Sequence, residues 1–229
     1  KAEATVTPEA AYYRFTYPAS QHGHLVLSLH NRAEFTVAGP TALEGSEQVG
    51  GNVARLADPH GSTRAYFYVE FSRPQKSWKT WQNGRFGHDA RVSGDDIGFV
   101  TDSATTAGER IEVRVGLSYI SADQARRNLE REIPQWDFDA VKERARAVWN
   151  RALGAIATAG GTERQRAIFY TALYRSLGRM TDITEDGRYF SGYDHEVHAS
   201  EGRDFYVDDG LWDTFRSLHP LQTLLDAHR

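Results

Sequence analysis

The sequence contains no cysteine and a single methionine among 229 residues. Without thiols, a disulfide scaffold and a cysteine-ligated zinc site are both excluded. The lack of cysteine also fits a protein exported from a bacterial cell. No run of about 18 apolar residues occurs, so no helical segment spans a bilayer. Neither sign of charge is in large excess: 27 Lys and Arg stand against 31 Asp and Glu, a net charge of −4. That balance gives no electrostatic reason to expect nucleic acid or an anionic membrane as a partner. There is no GxGxxG after a strand, no Walker loop and no GxSxG elbow. Internal repeats and low-complexity tracts are missing too.

What is present is ordinary for a folded protein, with 40% hydrophobic and 25% charged residues, which argues against disorder. The 12% aromatic share supplies rings for core packing and, where exposed, for stacking on sugars. The chain opens on Lys1-Ala2-Glu3-Ala4-Thr5-Val6-Thr7, which alternates like a strand and has no signal-peptide pattern. Leu221 to Arg229 is still in helical pattern, with no Gly or Pro stop. Both ends lead to the expectation that the sequence is a portion of a longer polypeptide.

The first 120 residues read as β. Strands are expected at residues 11–17, 24–29, 34–37, 64–71, 96–100 and 110–119, punctuated by Pro18, Gly23, Gly39-Pro40 and Pro74. Arg110-Ile111-Glu112-Val113-Arg114-Val115 alternates charged and apolar, as a strand with one wet face does. Several such strands without intervening helical periodicity predict an antiparallel sandwich. The pattern changes at Ser121. Ser121-Ala122-Asp123-Gln124 has the form of a capping box and opens a helix that Pro134 ends near Ile133. Asp137 can cap a second helix with an apolar face at Phe138, Val141, Ala145, Val148 and Ala152. After Gly160-Gly161, Thr162-Glu163-Arg164-Gln165 is another capping box. It leads into Ile168-Phe169, Ala172-Leu173 and Leu177. Glu185-Asp186-Gly187-Arg188 predicts a tight hairpin turn. Residues 193–209 read as irregular. A final helix is expected from Gly210 toward Arg229, with Pro220 as a possible kink.

Few residues stand out for chemistry. His195-Glu196-Val197-His198 has the wrong spacing for a zinc protease helix, which needs histidines four apart. His22 and His24 share a strand face but lack a third ligand. Between Asp204 and Leu225, Asp208, Asp209 and Asp213 lie near Trp212 and Arg216. Residue chemistry leaves two interpretations of this stretch. Carboxylates beside an aromatic ring can accept sugar hydroxyls and stack the ring; alternatively Asp209 caps a helix whose Trp212 and Phe215 are core. Trp78 and Trp81 raise a similar choice between sugar contact and sandwich core.

Gly210-Leu211-Trp212-Asp213-Thr214-Phe215-Arg216-Ser217-Leu218-His219-Pro220-Leu221 resembles the WDTFR…HPL segment of glycoside hydrolase family 92, the calcium-dependent exo-α-mannosidases. Phe169-Tyr170-Thr171-Ala172-Leu173-Tyr174-Arg175 is similar to a helix of that family. Asp186-Gly187-Arg188-Tyr189 and Ser191-Gly192-Tyr193-Asp194 resemble its DGxYxGxD turn. Ser118-Tyr119-Ile120-Ser121 through Glu132 resembles its strand-to-helix junction, and Phe71-Ser72-Arg73-Pro74 a sandwich strand end. The motifs keep the family's order along nearly the whole chain.

The resemblance implies an α+β multidomain fold: an antiparallel β-sandwich, a helical linker, then the first elements of an (α/α)6 barrel. The implied divisions are residues 1–120 for a sandwich lacking its start, 121–160 for the linker and 161–229 for the truncated barrel. It implies hydrolysis of terminal α-linked mannose in glycans with inversion, Ca²⁺ as cofactor, and a secreted or periplasmic location. By the same resemblance Asp213 binds hydroxyls of the terminal mannose, Trp212 shapes the subsite, and Arg216 pairs with Asp213. The acid, the base and the metal ligands are expected in later barrel segments, so no catalytic or metal residue is assigned here. The missing remainder of the barrel is thus an expected partner. The alternative is a non-catalytic carbohydrate-binding sandwich, which exposure of Trp78 and Trp81 on one face would favour.

Overall fold

The computed structural model describes residues 1–49, 63–178, 180–207 and 210–225, without the side chains of Leu211 and Asp213. Eleven strands precede the first described helix: β1 Ala2–Val6, β2 Ala10–Thr16, β3 Ser20–Leu29, β4 Ala33–Val37, β5 Ala42–Gln48, β6 Arg64–Phe71, β7 Trp78–Gln82, β8 Arg85–Gly87, β9 Arg91–Gly94, β10 Ile97–Thr105 and β11 Arg110–Ser118. They form a seven-stranded sheet in the order β1-β2-β11-β6-β5-β4-β9 and a four-stranded sheet in the order β3-β10-β7-β8. The pairings within both are antiparallel, so the expected sandwich is what the chain builds. Alternate residues of β4, β5, β6, β10 and β11 bury Phe35, Leu43, Phe67, Val69, Phe71, Ile97, Phe99 and Val113 in one core. Each such side chain contributes about 1.5–3 kcal/mol on burial.

Several strands are not on the expected list. β5 carries Glu44, Gly45, Ser46 and Glu47 and looks like a loop in sequence, yet it lies between β4 and β6. Its glycine explains this: a Cβ on Gly45 would come within 2.7 Å of the Phe67 ring and 2.2 Å of Glu34 O. The aromatic ring of the neighbouring strand occupies the space that a side chain would take. β7 and β8 meet at Asn83-Gly84, both with positive φ (49° and 72°), as a two-residue type I′ turn requires.

The outward faces of β2 and β11 seat the helices. Helix α1 (Ala122–Glu132) is capped by Ser121, whose side chain accepts from Gln124 N. The reciprocal half of the expected box is not made. Ser121 N instead donates to Ser118 Oγ, and Gln124 Nε2 donates to Asn128. Helix α2 (Phe138–Leu153) starts beneath Asp137, whose carboxylate accepts from Ala140 N at 3.0 Å. Tyr12, Leu129, Ile133, Phe138 and Val141 form a second core. Gly116 of β11 makes it possible, because a Cβ there would sit 2.0 Å from Ala125 O. Two arginines close the packing. Arg14 pairs with Glu3 and Asp139 under a cation–π contact of 4.2 Å to Phe138. Arg114 pairs with Glu70, donates to Ile133 O at the end of α1 at 2.6 Å, and lies 4.1 Å from the Trp136 ring.

The chain divides into two compact units, residues 1–142 with 190–197 and residues 143–189 with 198–229. The expected apolar face of α2 is kept at buried Phe138 and Val141 and at half-buried Ala145 and Ala152, and departs at Val148. Val148 is exposed, and Trp149 makes the contact instead, its ring 4.7 Å from Tyr174. Helix α3 (Glu163–Ser176) has the complete capping box expected at Thr162 and Gln165. The segment 193–209, expected to be irregular, holds two short strands: β14 (Val197–Ala199) pairs with β13 (Arg188–Phe190), and β15 (Tyr206–Val207) pairs with β12 (Thr181–Asp182). The hairpin turn at Asp186-Gly187 forms as expected, with φ of 49° and 73°.

Candidate functional site

The segment that the sequence singles out begins at Gly210. It is not one helix. Helix α4 (Leu211–Thr214) is a single turn, and helix α5 (Leu218–Leu225) starts afresh four residues later. Pro220 accounts for the break. It has no N–H to give to a preceding turn, and it is tolerated in the first turn of a helix where no such bond is needed. The proline therefore opens α5 rather than kinking a longer helix, and His219 before it is helical.

α4 presents Trp212 to solvent, 84% exposed, and Phe215 after it is 52% exposed. Neither ring is buried within this chain. Arg216 is exposed, with its guanidinium 5.5 Å from the Phe215 ring. The Asp213 side chain, Asp208 and Asp209 lie outside the described residues. The structure therefore places the backbone of Asp213 between an exposed tryptophan and a buried threonine, and leaves the Asp213–Arg216 pair as an expectation.

Thr214 is the residue that sequence reasoning passes over. It is 6% exposed. Its hydroxyl donates to Gly210 O at 3.1 Å, and its Oγ1 lies 2.7 Å from His219 Nε2. On α5, Gln222 Nε2 donates to Ser176 O at the end of α3 at 3.0 Å. The Thr214–His219 bond crosses the break between α4 and α5, and the Gln222–Ser176 bond joins α5 to α3, so no local pattern marks either. Elsewhere in this unit Tyr189 stacks on Phe205, centroids 3.8 Å apart and nearly parallel. The Tyr170 hydroxyl donates to Ile156 O, and hydrogen bonds from Thr158 hold it below the usual phenol range.

The other candidates are placed as follows. Trp78 faces inward and stacks on Phe99 at 5.8 Å. Trp81 is three residues on and faces the opposite side of β7. It lies over Gly98, where a Cβ would come within 2.1 Å of the indole, and its Nε1 donates to Asp96 at 3.1 Å. The two tryptophans thus share no exposed face, which removes the feature that would favour a sugar-binding sandwich. His22 Nδ1 lies 3.2 Å from Asp102, and His24 Nδ1 lies 2.9 Å from Thr101 O. Among the described residues no three His, Asp or Glu side chains gather to hold a metal ion. No described helix is long and apolar enough to cross a membrane.

Residues 1–118 match the glycosyl hydrolase family 92 N-terminal domain, and residues 124–229 match the glycosyl hydrolase family 92 catalytic domain. The structure is similar to that of a family GH92 inverting mannosidase from Bacteroides thetaiotaomicron. That chain is 29% identical with a TM-score of 0.84, over 97% of this chain and 30% of that one. A GH92 family glycosyl hydrolase, ccman5, is 26% identical with a TM-score of 0.86, over 99% of this chain and 31% of that one. A secreted glycosidase of Arthroderma benhamiae, itself uncharacterised, is 29% identical over 207 residues, which is 80% of this chain and 27% of its own length. The chain spans less than a third of each of these relatives.

Proposed function

The chain belongs to glycosyl hydrolase family 92, and on that premise we propose that the protein containing it is an exo-acting, inverting α-mannosidase. It removes terminal α-linked mannose from glycans. Inversion uses a general acid on the leaving oxygen and a general base that activates water on the opposite face, the two about 6.5–9.5 Å apart. Within this chain the assigned work is grip, not cleavage. Asp213 accepts hydrogen bonds from hydroxyls of the terminal mannose, Trp212 walls the subsite, and Arg216 pairs with Asp213. A carboxylate kept ionised in this way is the stronger acceptor.

The observation that carries the reading is a match to both family domains along nearly the whole chain. The acid and the base are assigned to barrel segments outside these residues. Calcium, when bound, helps distort the sugar or orient the water. By the family resemblance its ligands are assigned to later barrel segments, and no step here runs through it. A secreted or periplasmic location is supported by the family and by the secreted fungal relative.

Proton NMR of an α-mannobiose digest by the intact enzyme tests the reaction. Mannose should appear first as the β-anomer. First appearance as the α-anomer contradicts inversion, and no mannose at all contradicts the substrate. Residues 1–229 alone should release none. Calcium-dependent release by that chain would overturn the assignment of acid and base elsewhere.

A further inference from the structure

The turn that bears Trp212 and Asp213 is four residues long, too short to persist without tertiary support. Resting on the mannose-subsite reading above, we propose that His219 is a positioning residue for this corner, acting through Thr214. Thr214 directly follows Asp213, so its side chain fixes the last turn of backbone beneath the aspartate.

The bonding around Thr214 is closed on both sides. Its backbone N–H donates to Gly210 O at 3.2 Å, and its hydroxyl donates to the same carbonyl at 3.1 Å. A hydroxyl has one proton to give. The Thr214 Oγ1 also lies 2.7 Å from His219 Nε2, and either tautomer of the imidazole makes this bond, as donor when Nε2 is protonated and as acceptor of the hydroxyl proton when it is not. The histidine is itself held. Thr223 Oγ1 donates to His219 O at 2.9 Å, and Pro220 restricts the backbone just after it. One turn further on, Gln222 fastens α5 to Ser176 O. A continuous path therefore runs from the end of α3 through Gln222, α5, His219 and Thr214 to the turn that holds Asp213, all within one compact unit.

Cutting this path loosens the aspartate without touching it. A displacement of about 1 Å in a substrate-positioning group costs on the order of 100-fold in rate. His219→Ala and Thr214→Val in the intact enzyme should therefore lower kcat/KM for an α-mannobiose by about 10- to 100-fold. His219→Gln, whose amide nitrogen can reach the same place, and Thr214→Ser should recover most of it. The double variant His219→Ala/Thr214→Val should be no worse than Thr214→Val alone, because removing the hydroxyl already breaks the bond to His219. Thermal midpoints measured alongside should not rank with the activities. Near-normal kcat/KM in His219→Ala and Thr214→Val overturns the proposal, as does failure of both conservative variants to rescue, or losses that follow the midpoints. Asp213→Ala separates the two levels: a neutral effect there sinks the subsite reading, whereas a collapse there with a neutral His219→Ala sinks only the positioning role.

Discussion

Gly116→Ala tests how α1 is seated on the sandwich. In the native chain α1 lies against β11 at this glycine. A methyl there would sit 2.0 Å from Ala125 O and 2.9 Å from both Ala125 C and the Leu129 Cβ. Ordinary contact needs more than 3 Å, and two of the three opposing atoms are backbone, which no rotamer change can move. The helix must shift outward by more than an ångström. That strains the core of Tyr12, Leu129, Ile133, Phe138 and Val141, and it pulls Ile133 O from Arg114. Overpacking of this kind costs about 1–3 kcal/mol. The stiffer unfolded chain returns about 0.4–1 kcal/mol. The net is a loss of roughly 1–2 kcal/mol, or a midpoint lower by about 2–8 °C for a chain of this size. Differential scanning calorimetry of wild type and variant measures it. Gly192→Ala serves as the control, since its nearest neighbour would be an atom 3.7 Å away. A Gly116→Ala chain as stable as wild type would refute the close approach of α1 to β11.

The Arg14 cluster should make stability depend on acid. Hydrogen bonding to Arg14 holds the Glu3 carboxyl at about 2, below its ordinary 4.5, and Asp139 is lowered by the same guanidinium. Groups depressed in the folded state stabilise it fully above the ordinary value and lose that contribution as pH falls toward the folded one. The midpoint difference between wild type and Arg14→Met should therefore shrink from pH 5 to pH 2, and a difference that stays constant contradicts the pairing. Arg114→Met should destabilise by about 2–3 kcal/mol in urea titration, since it leaves a partly buried Glu70 unpaired and Ile133 O uncapped; a change below about 0.5 kcal/mol would exclude a structural pair. Gly98→Ala should push Trp81 off the sheet and shift tryptophan emission to the red, and an unchanged spectrum would exclude the flat placement of the indole.

Local chemistry was legible in the sequence where it acts over a few residues. The Ser121 and Thr162 caps, the Asp186-Gly187 turn and the order of sandwich before helices all follow from residues within one turn of each other. β5 was not legible, because what makes Gly45 and Ser46 strand residues is the Phe67 ring on the next strand. The break at residues 215–217 was half legible. Pro220 signalled a disturbance, but its tolerance in a first turn places the interruption upstream of the proline. The corner's residues were found through motif resemblance, whereas the Thr214–His219 bond across two helices carries no periodic signal.

The central claim is that the turn at Trp212-Asp213 grips the terminal mannose. Steady-state kinetics of Asp213→Ala in the intact enzyme test it most directly. Leaving sugar hydroxyls without their acceptor should lower kcat/KM by at least about 100-fold, with the thermal midpoint little changed. Near-normal turnover of a folded Asp213→Ala enzyme would contradict the account.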